Sequence, residues 1–276
     1  MSSINCKGKL IDLNSPKIMG ILNITPDSFF DGGKYNNEKT ILEQVDKMLA
    51  EGATFIDVGA YSSRPGATHI SEKEETDRIL PIVTLLLQHF PDILLSIDTF
   101  RSNIAEKCIE AGAAIINDIS GGNADEKMFK TAVKLQVPYI LMHMQGTPQN
   151  MQNNPSYSNI TQEIMIDFAE KSATLRKMGL NDLILDLGFG FGKTIEHNYT
   201  LLKDLALFHE LDCPILTGIS RKSMLYKPLN SSASEALNAT TYANTIALQK
   251  GSQILRVHDV KEAQEIISLQ RLLEHS

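Results

Sequence analysis

Several features that mark particular classes of protein are missing from this sequence. No apolar run approaches the ~20 residues of a membrane-spanning helix. The residues from Met1 to Lys9 are polar and lack the apolar segment of a secretory signal. Cys6, Cys108 and Cys213 form no CxxC pair, which argues against a disulfide framework or a cysteine zinc site and fits a reducing compartment. We therefore expect a cytoplasmic protein that does not associate with membranes.

Positive charge is also scarce. The sequence has 26 lysines and arginines against 33 aspartates and glutamates, which gives a net charge of -7. A general nucleic-acid surface needs a basic field, so we expect no nucleic-acid partner. This balance still allows a local cationic pocket for a phosphate.

Familiar catalytic and nucleotide-binding motifs are absent too. The sequence has no GxxxxGK[ST] loop, since the segment Gly190-Phe191-Gly192-Lys193 has too few intervening residues. It has no HExxH, EF-hand or GxSxG motif. His143 follows an apolar stretch, but no nucleophile is paired with it in the sequence, so we interpret it as structural.

What the sequence does have is one pattern repeated along most of its length. From Lys17 onward a short apolar strand ends on polar residues, a loop follows, and an amphipathic helix begins. The predicted strands cover residues 18–22, 54–58, 93–97, 113–116, 137–142, 183–185, 214–217 and 253–257. Eight such units favour an α/β fold, a (β/α)8 TIM barrel forming a single domain over residues 1–276. An open, doubly wound sheet is the alternative.

Other local signals fill in the rest of the chain. Residues 4–13 predict a short N-terminal β-hairpin, with its turn at Lys7-Gly8, that closes one end of the fold. Ser71 with Glu74, and Asp259 with Glu262, predict capping boxes at the starts of two helices. A face of small residues would let one late helix pack closely; it consists of Ala236, Ala239, Thr240, Ala243 and Ala247.

Polar residues concentrate where the predicted strands end. They are Asn23, Asp57, Asp98, Asn117, Asp186, Lys222, Arg256 and His258. In a barrel of this kind the active site lies at the carboxyl ends of the strands. Because polar side chains are costly in the core, their collection at one rim predicts a pocket. We expect this pocket to be acidic at its floor and cationic at its mouth.

The stretch from Asn181 to Lys193 is the most distinctive part of that rim. An apolar strand ends on Asp186, and three glycines then alternate with two phenylalanines, the second of which is Phe191. A carboxylate can accept two hydrogen bonds from an amidine-like edge while an aromatic ring covers a face. The stretch therefore favours a flat, nitrogen-rich heterocycle as ligand. The alternative is an ordinary turn whose aspartate caps the next helix.

Two further loops carry unusual chemistry. The first, residues 23–33, places Phe29 and Phe30 beside Asp31 and ends on two glycines, which favours a segment that folds over a ligand. Alternatively, the two aromatics only anchor the loop to the rim. The second, residues 59–66, presents Arg64 beside Pro65, and arginine matches phosphate oxygens with a bidentate fork.

Together these motifs resemble the dihydropteroate synthase family from about Lys17 to the end of the chain. The motifs follow nearly every strand in the family's order, which makes the combination specific although each alone is weak. They are Asn23-Ile-Thr-Pro-Asp-Ser-Phe29, Ser63-Arg64-Pro65-Gly66, Ser96-Ile-Asp98-Thr, Ile116-Asn117-Asp118, Leu141-Met142-His143-Met144, Gly188-Phe-Gly-Phe-Gly-Lys193, Gly218-Ile-Ser220-Arg221-Lys222 and Arg256-Val-His258-Asp259.

The resemblance implies a transferase of folate biosynthesis that is a target of sulfonamides. Such an enzyme joins 4-aminobenzoate to the methylene of 6-hydroxymethyl-7,8-dihydropterin pyrophosphate and releases pyrophosphate, assisted by Mg²⁺. The resemblance also implies a homodimer formed through helices near the chain end, where the small-residue face would serve.

The same resemblance assigns roles to individual positions. Pterin contacts would come from Asp98, Asn117, Met142, Asp186, Phe191, Gly218, Lys222 and Arg256. Pyrophosphate contacts would come from Asn23, Ser63, Arg64, Arg256 and His258, with Asn23 also touching the metal. The 4-aminobenzoate site would comprise Phe29, Ser63, Pro65, Phe191, Ser220 and Lys222. Catalysis would depend on Asp31, Arg64, Lys222 and Arg256, with Asp31 stabilising the cation from the closed first loop.

Three positions depart from the family's usual pattern. The second loop usually reads Gly-Gly-Glu-Ser, whereas this chain has Gly59-Ala60-Tyr61-Ser62. Leu187 stands where proline is usual, and Phe30 where a small polar residue is common. The Tyr61 change alters the second loop and is expected to affect 4-aminobenzoate affinity.

Three other functions remain as alternatives. The altered second loop would suit a pterin-binding paralogue without synthase activity. A methyltetrahydrofolate methyltransferase on the same barrel would need a corrinoid partner and no pyrophosphate site. A sugar-phosphate lyase would need a Schiff-base lysine in an apolar strand, whereas Lys222 lies in a loop beside Arg221.

Overall fold

The computed structural model describes residues 3–24, 33–62, 69–147, 151 and 154–274. Eight parallel strands close into a barrel in the order β10-β3-β4-β5-β6-β7-β8-β9. The barrel strands are β3 Lys17–Asn23, β4 Phe55–Gly59, β5 Leu95–Asp98, β6 Ile115–Asp118, β7 Tyr139–Met142, β8 Leu183–Asp186, β9 Ile215–Thr217 and β10 Ile254–Val257. The predicted TIM barrel is confirmed, and a doubly wound sheet is excluded because that sheet would be open.

Helices follow the barrel strands in sequence. The α-helices are α1 Gly33–Ala50, α2 Glu72–His89, α3 Ser102–Glu110, α4 Met128–Leu135, α5 Ile160–Lys177, α6 Ile195–Asp204, α7 Ser223–Tyr226, α8 Leu237–Gln249 and α9 Val260–Glu274. Short 3-10 helices cover Leu205–Leu211 and Lys227–Leu229. In the part of the chain that the structure describes, no helix combines the length and apolarity needed to cross a membrane.

Three predicted strands begin about two residues too early. Ile93, Leu94 and Ala113 are buried but precede β5 and β6 instead of belonging to them. Val137 likewise precedes β7. An apolar run indicates that residues are buried, not that they pair in a strand. The buried residues just before a parallel strand therefore cannot be told from the strand itself in the sequence.

The N-terminal hairpin closes the amino end of the barrel, as predicted. Strands β1 (Ser3–Cys6) and β2 (Lys9–Asp12) pair antiparallel, and Lys7 and Gly8 form the turn with positive φ angles of 57° and 80°. The hairpin's buried side chains share one apolar cluster with residues of seven barrel strands, and this cluster includes Met19, Phe55 and Ile184. This cluster fills the end of the barrel that the hairpin covers.

Alternation along each strand separates that apolar plug from the polar rim. Residues two apart point to the same face of a strand. Phe55 and Ile254 belong to the apolar plug, whereas Asp57 and Arg256, two residues further on, are hydrogen-bonded to each other. The same step leads from Ile184 to Asp186. The barrel therefore changes from apolar to charged within one layer of side chains.

Local signals at the helices were partly confirmed. Ser71 caps α2 by accepting a bond from the backbone N–H of Glu74 at 3.1 Å, while the Glu74 carboxylate pairs with Arg78. The carboxylate of Asp259 accepts two bonds from Arg221. The small-residue face of α8 is buried within the chain, with Ala243 and Ala247 nearly inaccessible, so it cannot serve as a dimer surface.

Candidate active site

The strand register aligns four rim positions in a row. Asn23 pairs with Gly59, Gly59 with Asp98, and Asp98 with Asn117. Adjacent strands lie about 4.8 Å apart, so these positions form one contiguous arc. Asn23, at the end of β3, is half-buried. The expected convergence of polar residues at the carboxyl rim is therefore present in the fold.

Arg256 is at the centre of a charged network on the barrel floor. Its Nε donates to Asp57 Oδ2 at 2.6 Å, and its guanidinium donates to Asp98 Oδ2 at 2.9 Å. Asn117 donates its amide N–H to the same Asp57 oxygen at 3.0 Å. Asp57 is fully buried, and a buried carboxylate is costly unless it is paired, as it is here with Arg256. The network ties β4, β5, β6 and β10 together.

This network corrects the expected arrangement of charge. Burial works against the charge of Arg256, but Asp57 and Asp98 outweigh it and raise the pKa of the arginine. Burial raises the pKa of Asp98 to about 7, against the opposing effect of Arg256. We predicted an acidic floor beneath a cationic mouth, yet the arginine lies at the floor among the carboxylates. Opposite charges are paired there instead of being separated by depth.

The Gly-rich loop after β8 brings the next group of residues together. Asp186 Oδ1 accepts a bond from the Gly188 backbone N–H at 2.8 Å. Gly188 has a φ of +66°, and a Cβ there would lie 2.0 Å from the carbonyl oxygen of His143, so only glycine fits. The Lys222 ammonium lies 4.6 Å from the centre of the Phe191 ring and donates to the carbonyl oxygen of Phe189. Asp186, Phe191 and Lys222 thus border one space.

Burial shifts the pKa of both charged groups in that space. It raises the pKa of Asp186, which Lys222 and the Gly188 N–H oppose. It lowers the pKa of Lys222 to about 8, although Asp186 counteracts this. Each group therefore stabilises the charged form of the other.

An apolar wall lies beside Asp186 and Lys222. Met142 packs in a cluster with Ile119 and Met144, and the rings of Phe100 and Phe191 pack against it. At Gly218 an added Cβ would be 3.7 Å from Asp186 Oδ2 and 3.9 Å from the Arg256 Cβ, so this glycine borders both. A carboxylate edge, an amide and an aromatic face are thereby combined, which is chemistry suited to a flat heterocycle.

Ser220 and His258 join the ends of β9 and β10. Their Oγ and Nδ1 atoms are 3.0 Å apart, and the His258 backbone N–H donates to Ser220 Oγ at 3.2 Å. His258 is exposed and Ser220 is buried. The pair places an imidazole at the outer edge of the site, next to solvent, where an anionic tail would extend.

Comparison with known proteins agrees with this geometry. The family described as pterin binding enzyme matches residues 19–258. Dihydropteroate synthase of Escherichia coli is 42% identical over 261 residues, which covers 94% of this chain and 92% of that protein. The chain belongs to the dihydropteroate synthase family.

Solved dihydropteroate synthases share the fold as well. The Yersinia pestis enzyme, solved as a complex with a sulfonamide drug, is 41% identical, has a TM-score of 0.92, and the match covers 99% of this chain and 100% of that one. The Xanthomonas albilineans enzyme, solved with 4-aminobenzoic acid, is 31% identical with a TM-score of 0.92 and coverage of 100% and 99%.

Several synthase positions predicted from the sequence fall outside the described residues. They are Phe29 and Asp31 of the first loop and Ser63, Arg64 and Pro65 of the second. The other predicted site residues all lie at the carboxyl rim of the barrel. Their roles in binding and catalysis stay predictions.

Some residues in and near the site of this synthase have contacts that the sequence did not predict. Asp57 was placed at the rim, but its bonds to Arg256 and Asn117 were not foreseen. A carboxylate inside the apolar strand Phe55–Gly59 was the available signal, because a buried charge requires a partner. Lys193 is a second buried charge, bonded within the Gly-rich loop. His143, interpreted as structural, is half-buried beside Lys193, and desolvation by its surroundings lowers its pKa to about 2.

Tyr61, which departs from the synthase pattern, contacts His69, Phe100 and Arg101. Its hydroxyl lies 3.2 Å from His69 Nδ1, and its ring packs edge-on against Phe100 at 5.0 Å. The Arg101 guanidinium lies 5.7 Å from the ring centre and also pairs with buried Glu75. A glutamate at position 61 could not make these ring contacts, so the anchoring here is specific to tyrosine.

Tyr61→Phe is expected to lower the free energy of unfolding by about 0.5–1.5 kcal/mol, because it removes the hydroxyl but keeps the ring. Urea unfolding at neutral pH measures this. Tyr226→Phe is the matched control: Tyr226 is half-buried and its hydroxyl has no hydrogen bond among the described residues, so losing that hydroxyl should cost little. Equal stability of Tyr61→Phe and the native protein would show that the bond to His69 contributes nothing.

Proposed function

We propose that this chain joins 4-aminobenzoate to the methylene carbon of 6-hydroxymethyl-7,8-dihydropterin pyrophosphate, giving 7,8-dihydropteroate and pyrophosphate. The observation that carries the proposal is the combination, on one rim, of Asp98, Asn117 and Asp186 with Arg256 and an aromatic wall. Membership of the dihydropteroate synthase family supports the same reaction.

The pterin ring fits the groups that border the Gly-rich loop. Asp186 accepts hydrogen bonds from the amino-pyrimidine edge, as a carboxylate with two oxygens can. Asn117 and Asp98 reach other polar atoms of the ring, and Lys222 donates to its oxygen. Phe191 and Met142 line the slot. Because its in-plane N–H groups are engaged with carboxylates, the Arg256 guanidinium has a face that can stack on the heterocycle.

The chemistry requires a good leaving group more than a strong base. The aromatic amine is neutral at pH 7, so its lone pair is available without deprotonation. A carbon–nitrogen bond forms at the methylene as the carbon–oxygen bond to pyrophosphate breaks, and the amine proton leaves to water. The cations Arg256 and His258, together with Arg64 of the second loop, stabilise the departing charge. Positive charge that develops on the pterin is stabilised by Asp98 and Asp186.

Mg²⁺ is proposed as the cofactor, held by Asn23 and by the pyrophosphate. Mg²⁺ usually keeps several waters and takes only one or two protein oxygens when it binds substrate phosphates. Among the described residues no group of three or more His, Cys, Asp or Glu side chains could hold a metal by itself. A single half-buried amide oxygen at the rim fits this substrate-dependent mode. When bound, the ion would neutralise charge on the leaving pyrophosphate.

A homodimer and a cytoplasmic location complete the proposal. The outer surfaces of α8 and α9 expose Tyr242, Leu269 and Leu272 at 67%, 60% and 69%, and these helices contact each other. Exposed apolar side chains on neighbouring helices are suited to an interface between two copies. The three free, buried cysteines are typical of a protein from a reducing compartment.

The direct test of the reaction is release of pyrophosphate from the two substrates, followed with and without Mg²⁺. We expect pyrophosphate and dihydropteroate in equal amounts, and loss of both on chelation. Binding of the pterin pyrophosphate without any turnover would instead support the pterin-binding paralogue. Turnover that is unchanged by chelation would refute the metal.

The pKa of Lys222 predicts how substrate affinity depends on pH. Because burial lowers this pKa to about 8, the ammonium loses its charge above about pH 8. Affinity for the anionic pterin pyrophosphate should therefore fall on the alkaline side. Calorimetry between about pH 6 and about pH 10 measures this decline. Lys222→Arg stays charged and should bind without it, so an unchanged alkaline decline in that variant would assign the effect to another group.

A further inference from the structure

Lys193 is a fully enclosed lysine that the proposed reaction does not use. Its side chain is buried, with a relative exposure of 4%. Its ammonium donates to the carbonyl oxygens of Gly188 at 2.9 Å, Phe191 at 2.9 Å and His143 at 3.1 Å. His143 Nδ1 lies a further 3.1 Å away. A cation that bonds to three carbonyl oxygens of neighbouring turns acts as an internal cross-link.

We propose that Lys193 is the positioning residue of the pterin slot. It fixes the Gly-rich loop so that the Asp186 carboxylate and the Phe191 ring face the same ligand. The inference deepens the proposed function and depends on it, since it concerns how the pterin pyrophosphate is held. Lys193 itself does not touch the ligand in this proposal.

The cross-link connects the two sides of the loop to the neighbouring strand end. Gly188 provides the N–H that orients Asp186, and its own carbonyl is bonded by Lys193. Phe191, whose ring lies against Lys222 and the apolar wall, is bonded by Lys193 through its carbonyl. His143 belongs to the segment after β7. Because all three carbonyls converge on one nitrogen, a shift in any of the three segments would break a bond of Lys193.

Close backbone contacts show that the Gly-rich loop is tightly packed against the segment after β7. A Cβ at Gly188 would lie 2.0 Å from the His143 carbonyl oxygen, and one at Gly192 would lie 2.6 Å from that of Gln145. The loop is therefore pressed against the segment that follows β7. Carbonyl oxygens meet at this contact, and without a cation between them they would repel one another.

The number of acceptor atoms around Lys193 favours its charged form. Four acceptor atoms surround the nitrogen, and an ammonium supplies three donors where a neutral amine supplies two. His143 is held neutral by burial, so its Nδ1 can act as an acceptor. Burial lowers the pKa of Lys193 to about 7, while Asp186 counteracts the shift. The carboxylate and the lysine thus stabilise each other across the loop.

This charge coupling separates a positioning role from a purely structural one. Lys193 is among the cations that oppose the burial-driven rise in the pKa of Asp186, after Lys222 and Arg256. Removing the Lys193 charge raises the pKa of Asp186. Binding that needs the ionised carboxylate is then lost at a higher pH than in the native protein. We call the fall in pterin affinity at low pH the acid limb. A residue that only supported the fold would not shift the pH of this acid limb.

The test compares Lys193→Met and Lys193→Gln with the native protein. We expect the Kd for pterin pyrophosphate, measured by calorimetry, to rise by about 10–100-fold in both, because the ligand groups are misplaced. The acid limb of pterin binding should move to higher pH. Lys171→Met is the control: Lys171 pairs with Asp167 beside the same segment and does not bond to the loop, so pterin affinity and the acid limb should stay native.

One result overturns the inference, and either variant can give it. Native pterin affinity with a native acid limb in a folded Lys193→Met shows that Lys193 does not position the slot. Should that variant fail to fold, Lys193→Gln, which keeps a donor for the carbonyls, decides by the same two measurements. Failure of the native protein itself to bind pterin pyrophosphate would refute the proposed function instead, so the two failures are distinguishable.

Discussion

Asp186→Asn is expected to abolish measurable binding of pterin pyrophosphate. The substitution keeps the size of the side chain and an oxygen that can accept from the Gly188 N–H. It removes the negative charge and the second acceptor oxygen that the amino-pyrimidine edge needs. Hydrogen bonds to a charged group contribute about 1.5–3 kcal/mol each, so losing both bonds to the amino-pyrimidine edge lowers affinity by about 100- to 10,000-fold. Asp186→Ala should lose at least as much.

Calorimetric titration with pterin pyrophosphate measures the effect, and Asp118→Asn is the control. Asp118 also ends a barrel strand, but its carboxylate is buried on the other face, where it accepts from Tyr139, Ser120 and Gly122. We expect Asp118→Asn to lower thermal stability and to leave pterin affinity unchanged. Retained affinity in Asp186→Asn would contradict the assignment of the pterin edge.

The contrast between Asp186 and Asp118 shows how far sequence reasoning could go. Strand endings were visible as polar residues after apolar runs, and this was enough to predict the barrel and to place Asp98, Asn117 and Asp186 at one rim. Which of two successive polar residues faces inward follows from alternation along the strand. Asn117 and Asp118 are adjacent in sequence, and only Asn117 joins the charged network.

Pairings between distant residues could not be predicted in the same way. Arg256 and Asp57 are separated by 199 positions, and only closure of the barrel brings β10 and β4 to either side of β3. Without knowledge of that contact, the sequence predicts that the arginine belongs to a cationic mouth. The small-residue face of α8 is a similar case, because close packing against the chain itself and packing against a second copy require the same sequence pattern.

The Gly-rich loop lies between these two cases. Closely spaced glycines are typical of a tight turn, and Gly188, Gly190 and Gly192 all have positive φ angles. Its final lysine was compared only with a phosphate-binding motif, because lysine is rarely buried and a surface role is the usual expectation. Three main-chain carbonyl acceptors are invisible in a sequence, so the burial of Lys193 could be found only from the fold.

Arg256→Gln is the second substitution for which a large effect is expected, and it should lower both stability and activity. Asp57 and Asp98 would lose their positive partner, and removing one member of a buried ion pair costs about 3–5 kcal/mol. Affinity for pterin pyrophosphate and kcat should both fall, because the stacking face and a cation for the leaving group are lost together. Urea unfolding and pyrophosphate release measure the two effects.

The stability of Arg256→Gln should also depend on pH in a characteristic direction. Burial already raises the pKa of Asp98 to about 7, and loss of Arg256 raises it further. The folded variant then binds a proton that the unfolded chain, with an ordinary aspartate pKa of about 3.9, releases. Because Asp98 of the native protein takes up its own proton near pH 7, the stability of the variant relative to the native protein should increase as the pH falls toward about 7 and stay level at lower pH.

Arg78→Gln is the matched control for this substitution. Arg78 pairs with Glu74 one helical turn away, where both side chains are partly exposed at 25% and 48%. Such surface pairs contribute about 0–1 kcal/mol, so Arg78→Gln should unfold nearly as the native protein does and with the native pH dependence. If Arg256→Gln unfolded like this control, the burial of Asp57 and Asp98 would not require Arg256. The charged network would then not stabilise the barrel.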